Sequence, residues 1–248
     1  MKTVDTEESF IKVIEQVQSQ YVTRLNAALA SKEGAKALGL SQADVRQVFS
    51  KLDDVVLFSR ELLVMLDVVN WVRTPPVTGE GRSVHAGTAF AAMAPKIKSF
   101  APVVALYNTS LKVLVRAERD VKPSAAKSGA QSFLAIWDDV TDKSDLLRGK
   151  KLQSVLITPV QRVPRYRLLL EVLVKDCDRP DATVIVQEAL DLVTAGAMRI
   201  NEVWFLACAG GGLTRIFFGA ACSRCARTKK WSRFSARKAP PRPCSRAA

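Results

Sequence analysis

The stretch LQSVLITPVQRVPRYRLLLEVLV, from Leu152 to Val174, decides how this chain folds. Its apolar residues recur at three- and four-residue spacing, which is typical of a helix that packs against a core. It also contains Pro159 and Pro164. A proline inside a helix costs about 3 kcal/mol, because it removes a backbone hydrogen bond and its ring meets the carbonyl four residues back. The pattern therefore predicts a bent helix that its neighbours hold in place.

Polar and cationic residues surround the two prolines, where packing alone needs none. They are Gln161, Arg162, Arg165 and Arg167. The apolar residues on either side are enough to hold the helix in a core. We therefore interpret the middle of this helix as a rigid, bent segment whose polar residues serve a function.

The rest of the chain also has a helical pattern. Apolar residues at helical spacing predict further helices over residues 6–30, 41–71, 88–119, 131–140 and 182–206. The segment 31–40 contains two glycines and predicts a break, and 73–87 predicts a loop that holds the single histidine, His85, in solvent. Interruptions are expected at Pro95 and Pro102. These features predict an all-α fold, an elongated bundle of about six long helices.

The opening stretch resembles the signature helix of the Dbl-homology (DH) domain, the catalytic module of guanine-nucleotide exchange factors for Rho-family GTPases. SQYVTRLNAAL resembles the first conserved region of that family, KIKSFAPVVALYNTSL the middle region, and RINE the end of the last helix. The resemblance covers residues 7–202. The residues of the signature helix that match are Pro159, Val160, Gln161, Arg162, Arg165, Tyr166, Leu168, Leu169 and Leu170.

The resemblance implies a function without covalent chemistry, cofactor or metal. Such a domain favours a GTPase conformation in which the magnesium and phosphate contacts are disturbed, so that GDP leaves. The family binds the GTPase through its first and fifth helices and the end of the sixth. The partner implied is a Rho-, Rac- or Cdc42-type small GTPase. The GTPase-binding residues that the resemblance implies are Gln18, Tyr21, Gln161, Arg162, Arg165, Leu169 and Asn201.

Gln18 departs from the family pattern, which has a glutamate three residues before the tyrosine of the first helix. The amide keeps an acceptor oxygen and loses the charge. A hydrogen bond to a charged group contributes about 1.5–3 kcal/mol, against about 0.5–1.5 kcal/mol for a neutral one. We therefore expect exchange to be weakened by roughly tenfold or less. The alternative is a DH-like scaffold that binds GTPases or other signalling proteins without exchange.

The basic charge of the chain lies in its C-terminal segment. The formal net charge is +13, yet the segment from Val203 to Ala248 has ten Lys or Arg residues and no Asp or Glu. We expect a helical domain over residues 1–206 and a disordered basic tail over 207–248. That tail is too short for the pleckstrin-homology domain that usually follows in this family. Its charge allows weak contact with anionic membranes, whereas nucleic acid is not the expected partner.

The N-terminus and the cysteines indicate the cytoplasm, with the basic tail as a means of recruitment to a membrane. The start, MKTVDTEESF, has no secretory signal pattern, and the cysteine count of five is odd. We find no apolar run of the roughly 20 residues that a membrane span needs. Cys222 and Cys225 have metal-ligand spacing but lack a second pair, so no metal site is expected.

Overall fold

The computed structural model describes the backbone of residues 2–71, 79–120 and 131–209, and the side chains of 4–66, 83–120 and 131–202. These residues form α-helices, one π-helical turn and one 3₁₀ helix, without a β-strand among them. The predicted all-α fold is therefore confirmed. In chain order the elements are α1 Lys2–Gln16, the π-helical turn Val17–Val22, α2 Thr23–Leu29, α3 Lys32–Leu38, α4 Gln42–Phe49, α5 Leu52–Trp71, α6 Gly79–Met93, the 3₁₀ helix Ala94–Phe100, α7 Ala101–Asp120, α8 Phe133–Asp142, α9 Leu152–Leu156, α10 Thr158–Lys175 and α11 Pro180–Ala209.

The first helical stretch runs without a break through α1, the π-helical turn and α2, close to the predicted range 6–30. Its core face consists of residues at three- and four-residue spacing that are wholly buried. They are Ile14, Val17, Tyr21 and Leu25. A π-helical turn inserts one residue into the backbone repeat and changes which side chains face the core. Within this stretch, α1 packs along α5 and α2 packs against other helices.

Two segments predicted to lack helix are helical instead. Over 31–40 the chain forms α3, because Ser31 Oγ accepts a hydrogen bond from the Gly34 backbone N–H at 2.9 Å and caps it. Over 73–87 the prediction is wrong from Gly79 onward, where α6 begins, and residues 72–78 lie outside the described residues. His85 is accordingly in a helix, partly exposed, rather than in a loop.

The packing of α6 explains why a glycine-rich sequence is helical there. A Cβ on Gly87 would lie 3.1 Å from the Cα of Val186 in α11, so the glycine allows the two helices to approach closely. Close packing of this kind compensates for the low helix propensity of glycine. Residues 210–248, including Cys222, Cys225 and most of the predicted tail, lie outside the described residues.

The prolines differ in where they lie within their helices. The single bent helix predicted over 152–174 is two helices, α9 and α10, and Pro159 lies in the first turn of α10. Proline is tolerated there, since the first N–H groups of a helix have no partner within it. Pro164 alone is inside α10. Pro95 and Pro102 are the second residues of the 3₁₀ helix and of α7, so the helix type changes next to each of the predicted interruptions.

One helical segment, Ser83–Asp120, is long and apolar enough to cross a membrane when judged by length and composition alone. The same test is passed by core helices of proteins that never enter a membrane. Here the segment changes from α-helix to 3₁₀ helix and back, and it contributes Phe90, Ile97, Phe100 and Leu114 to the core. We therefore interpret it as a core segment.

The centre of the core is built around α10. Tyr166 is 2% exposed, and its ring lies against three other aromatic rings from neighbouring helices. The centroid distances are 5.4 Å to Phe90, 6.0 Å to Phe58 and 6.3 Å to Phe100. Packed aromatic pairs of this geometry contribute about 0.5–1.5 kcal/mol each beyond the burial of their surface. This packing holds one face of α10 inside the molecule and leaves the opposite face in solvent.

Candidate functional site

The exposed face of α10 carries a mixed polar and apolar stripe. Gln161 and Arg165 are exposed, and Leu168 and Val172 are 58% and 53% exposed at the following turns. Residues at positions i, i+4, i+7 and i+11 lie on one side of a helix. The predicted residue Leu169 is only partly exposed and packs against the core. The exposed leucine of this helix is thus Leu168, which the sequence analysis did not select for the site.

The buried face of α10 carries a charged cluster with helix α1. Arg162 is 5% exposed, and its Nε and Nη2 both donate to Glu7 Oε2, the former at 2.9 Å. Tyr166 Oη donates to Glu7 Oε1 at 2.6 Å. The guanidinium of Arg162 also stacks over the ring of Phe10, 5.0 Å from its centroid. Glu7 is 0% exposed, so both of its oxygens are bound inside the protein.

The electrostatics of this cluster follow from its burial. Burial raises the pKa of Tyr166, and the nearby negative charge of Glu7 raises it further. Burial by itself lowers the pKa of Arg162, but the hydrogen bond and charge of Glu7 outweigh that effect and raise it. Tyr166 therefore keeps its proton and Arg162 its charge throughout the physiological range. The cluster therefore joins a charged guanidinium and a neutral tyrosine donor to the two oxygens of Glu7.

Tyr21 lies in the core. It is 0% exposed, its Oη donates to the carbonyl oxygen of Phe133 at 3.0 Å, and its ring packs edge-on against Phe49 and Trp137. Burial raises its pKa above the ordinary tyrosine value, with a further contribution from the charge of Asp138. The prediction placed Tyr21 and Arg162 on the binding surface. In the structure both side chains are buried.

Gln18 is partly exposed in the π-helical turn, and its Nε2 donates to Asp53 Oδ1 at 2.5 Å. It follows Glu7 by eleven positions, which corresponds to about 16 Å along a helix. Among the described side chains, no hydrogen bond or ion pair joins Gln18, Arg165 and Asn201. The cluster with Glu7 therefore places Arg162 near the N-terminal end of the first helical stretch, about three helical turns from Gln18.

Asn201 is exposed near the end of the described side chains of α11, directly after the buried Ile200. Gly196 lets α11 approach the 3₁₀ helix, because a Cβ there would lie 3.2 Å from Ile97 Cγ2. Ile97 and Ile200 hold that part of α11 against the core. Asn201 is thereby presented to solvent from a fixed backbone, as the sequence analysis expected of a contact residue.

Glu7 is the residue of this site that the sequence analysis missed. Local spacing gives no signal for it, because its partners Arg162 and Tyr166 lie 155 and 159 positions further along the chain. The family glutamate expected three residues before the tyrosine of the first helix is a separate position, where this chain has Gln18.

The comparisons with known proteins agree with this architecture. Residues 3–201 match the family model described as the RhoGEF domain. The chain is 27% identical over 210 residues to the Drosophila melanogaster protein still life, isoform SIF type 1, covering 82% of this chain and 9% of that protein. It is 28% identical over 205 residues to mouse pleckstrin homology domain-containing family G member 2, covering 81% of this chain and 13% of that protein. It thus spans only about a tenth of the length of these relatives.

Solved structures show the same fold at lower identity. A structure of the Vav1 exchange factor superimposes with a TM-score of 0.64 at 18% identity, covering 82% of this chain and 48% of that one. A structure of the linker and DH/PH domains of p115-RhoGEF gives a TM-score of 0.63 at 14% identity, covering 82% and 54%. The buried signature helix, the exposed stripe on it and the match over residues 3–201 lead to one conclusion: the chain belongs to the RhoGEF (Dbl-homology) domain family.

Proposed function

We propose that this chain is a guanine-nucleotide exchange factor for a Rho-family small GTPase. The observation that carries the proposal is the family match over residues 3–201, which includes every residue of the candidate site. The domain acts by binding the mobile switch loops of the GTPase and favouring a conformation that holds GDP weakly. No covalent bond is made or broken in this process. The chain's own contribution is a rigid surface of suitable charge.

The contact surface that we propose consists of the exposed stripe on α10 together with Asn201. Arg165 provides a cation with no ion-pair partner among the described side chains, and Gln161 provides both a donor and an acceptor. Leu168, Val172 and the exposed part of Leu169 provide apolar area beside them. A patch that combines an arginine with apolar neighbours is well suited to be the energetic centre of an interface. Arg162, on the buried face of α10, supports this surface from beneath.

Release of a fluorescent GDP analogue from Rho-, Rac- and Cdc42-type GTPases tests the proposal directly. We expect the full chain to accelerate release from at least one of them. Arg165→Ala should reduce that acceleration by about tenfold or more, since it removes a charged contact made with the GTPase. Arg167→Ala is the matched control, because Arg167 is exposed on the same helix but is paired with Glu171. Equal losses in both variants would contradict the proposed surface.

Gln18 stands where the family has an acidic residue, so it decides whether exchange is weakened. Gln18→Glu should raise exchange by up to about tenfold. Glu7 does not replace the missing glutamate at a contact surface, because it is 0% exposed and both of its oxygens are bound by α10. An unchanged or lower rate of GDP release in Gln18→Glu would show that Gln18 does not contact the GTPase.

A non-catalytic scaffold is the second candidate, and Gln18 is the feature that favours it. Such a protein would bind a GTPase in a pull-down or calorimetric titration and leave its rate of GDP release unchanged. Binding and release measured on the same preparations therefore distinguish the two functions. For either function we infer a cytoplasmic location. The basic segment after Glu202 supplies the charge for weak contact with anionic membranes.

A further inference from the structure

Within a single helical turn, the two faces of α10 have different surroundings. Gln161 and Arg165 are exposed, whereas Arg162 and Tyr166 are buried. Each exposed residue therefore has a buried residue directly after it in the chain. Any rotation or shift of this turn moves both pairs together. The buried pair consequently determines where the exposed pair points.

The backbone of this turn is weakened by Pro164. It has no N–H, so the carbonyl of Val160 receives no hydrogen bond from the residue four positions on. The proline lies between Arg162 and Tyr166, at the level of Arg165. A helix that lacks a backbone bond at this point can bend there more easily. The orientation of Arg165 then depends on side-chain contacts made on either side of the proline.

Those contacts converge on one carboxylate. Arg162, two residues before Pro164, binds Glu7 Oε2, and Tyr166, two residues after it, binds Glu7 Oε1 at 2.6 Å. Arg162 Nε also lies 3.4 Å from Tyr166 Oη, which closes the cluster. Since the side chains of Arg162 and Glu7 are 6% and 0% exposed, solvent does not screen these bonds. Glu7 thus bridges the gap that the proline leaves in the backbone ladder.

We propose that Glu7, Arg162 and Tyr166 are positioning residues, which fix the exposed Gln161 and Arg165 in the orientation that binds the GTPase. The inference rests on the proposed exchange function. It assigns Glu7 an internal role, because both of its oxygens are bound by α10 and none of its surface is exposed. The cluster influences exchange only through the residues that it orients.

A double-mutant cycle tests this dependence. Tyr166→Phe keeps the ring that packs on Phe58, Phe90 and Phe100 and removes only the bond to Glu7. It should reduce kcat/KM for GDP release by about tenfold in the otherwise unchanged chain. In an Arg165→Ala background the same substitution should reduce it by less than about twofold. In an Arg167→Ala background the full reduction should persist. Equal reductions in all three backgrounds would overturn the proposal.

Amide hydrogen exchange tests the positioning without a GTPase. In Tyr166→Phe, we expect the amides around Pro164 in α10 to exchange about tenfold faster, while those of α8 keep their protection. Unchanged protection in α10 would overturn the positioning role. Loss of protection in α8 as well as α10 would show that the substitution acts on the whole fold, and this result would also contradict the positioning role. If the unmodified chain accelerates GDP release from no GTPase, the exchange function fails, and hydrogen exchange still decides the inference about α10.

Discussion

The first helical stretch carries two polar residues bonded to other helices, one near its N-terminus and one in the π-helical turn at its middle, and the two bonds differ in kind. At the N-terminal end, wholly buried Glu7 receives hydrogen bonds from Arg162 and Tyr166 of α10. In the π-helical turn, partly exposed Gln18 makes one hydrogen bond to Asp53 of α5. Because Glu7 is buried, the stability of the fold depends on the hydrogen bonds that it receives. Solvent competes for the second, so it holds the helices together only weakly.

This difference cannot be read from local spacing. Glu7 and Gln18 each stand three residues before an aromatic residue, Phe10 or Tyr21, and both aromatic residues are buried. Of the two, Glu7 is the one bonded to the signature helix. A charge that is buried away from water must be neutralised by a partner. The position of that partner in the fold, rather than the local pattern, makes Glu7 a structural residue.

The largest effect is expected from Arg162→Leu. This change leaves Glu7 buried without its cation, and breaking a buried ion pair by removing one partner costs about 3–5 kcal/mol. Urea denaturation of the full chain should show a loss of that size in the free energy of unfolding. Arg165→Leu, on the exposed face of the same helix, should change the free energy of unfolding by less than about 0.5 kcal/mol. Similar losses in the two variants would mean that Glu7 does not depend on Arg162.

An intermediate effect is expected from Tyr21→Phe, in the same π-helical turn as Gln18. The substitution keeps the ring against Phe49 and Trp137 and removes the donor to the carbonyl of Phe133. Losing this buried hydrogen bond should cost about 0.5–1.5 kcal/mol in the free energy of unfolding at pH 7. Thermal and urea denaturation at fixed ionic strength would measure this loss.

The same tyrosine predicts that the free energy of unfolding falls at alkaline pH, which gives the pH profile of stability an alkaline limb. Burial raises the pKa of Tyr21 above its value in the unfolded chain, so the folded state favours the protonated form. The stability that this provides is complete below a pH of about 10 and is lost as the pH rises above it, by up to about 1.4 kcal/mol per pH unit for one group. Tyr21→Phe should flatten this limb, and Tyr166 and Tyr107, whose pKa values burial also raises, should contribute to the remainder. An unchanged slope in the variant would contradict the burial of the Tyr21 hydroxyl.

The sequence contained enough to predict the all-α fold and the identity of its central helix, because both depend on repeated local patterns. The prediction was wrong where packing overrides local preference, as at Gly87, where contact with Val186 favours a helix in a glycine-rich segment. It selected Leu169 rather than Leu168, since a run of leucines does not reveal which one faces solvent. It missed Glu7 because its two partners lie 155 and 159 positions away in the chain.

The smallest effect is expected from Arg60→Gln, which provides the sharpest control for the comparison. Glu15 lies between Glu7 and Gln18 on the first helical stretch and binds Arg60 of α5 through two nitrogens, at 2.5 and 3.0 Å. The charges match those of the pair of Glu7 and Arg162, but the side chains are 36% and 63% exposed. Exposed pairs are screened by water and salt, so the loss in unfolding free energy should stay within about 0.5 kcal/mol and shrink in high salt. A loss approaching that of Arg162→Leu would show that the number of bonds, rather than burial, sets the strength of these contacts.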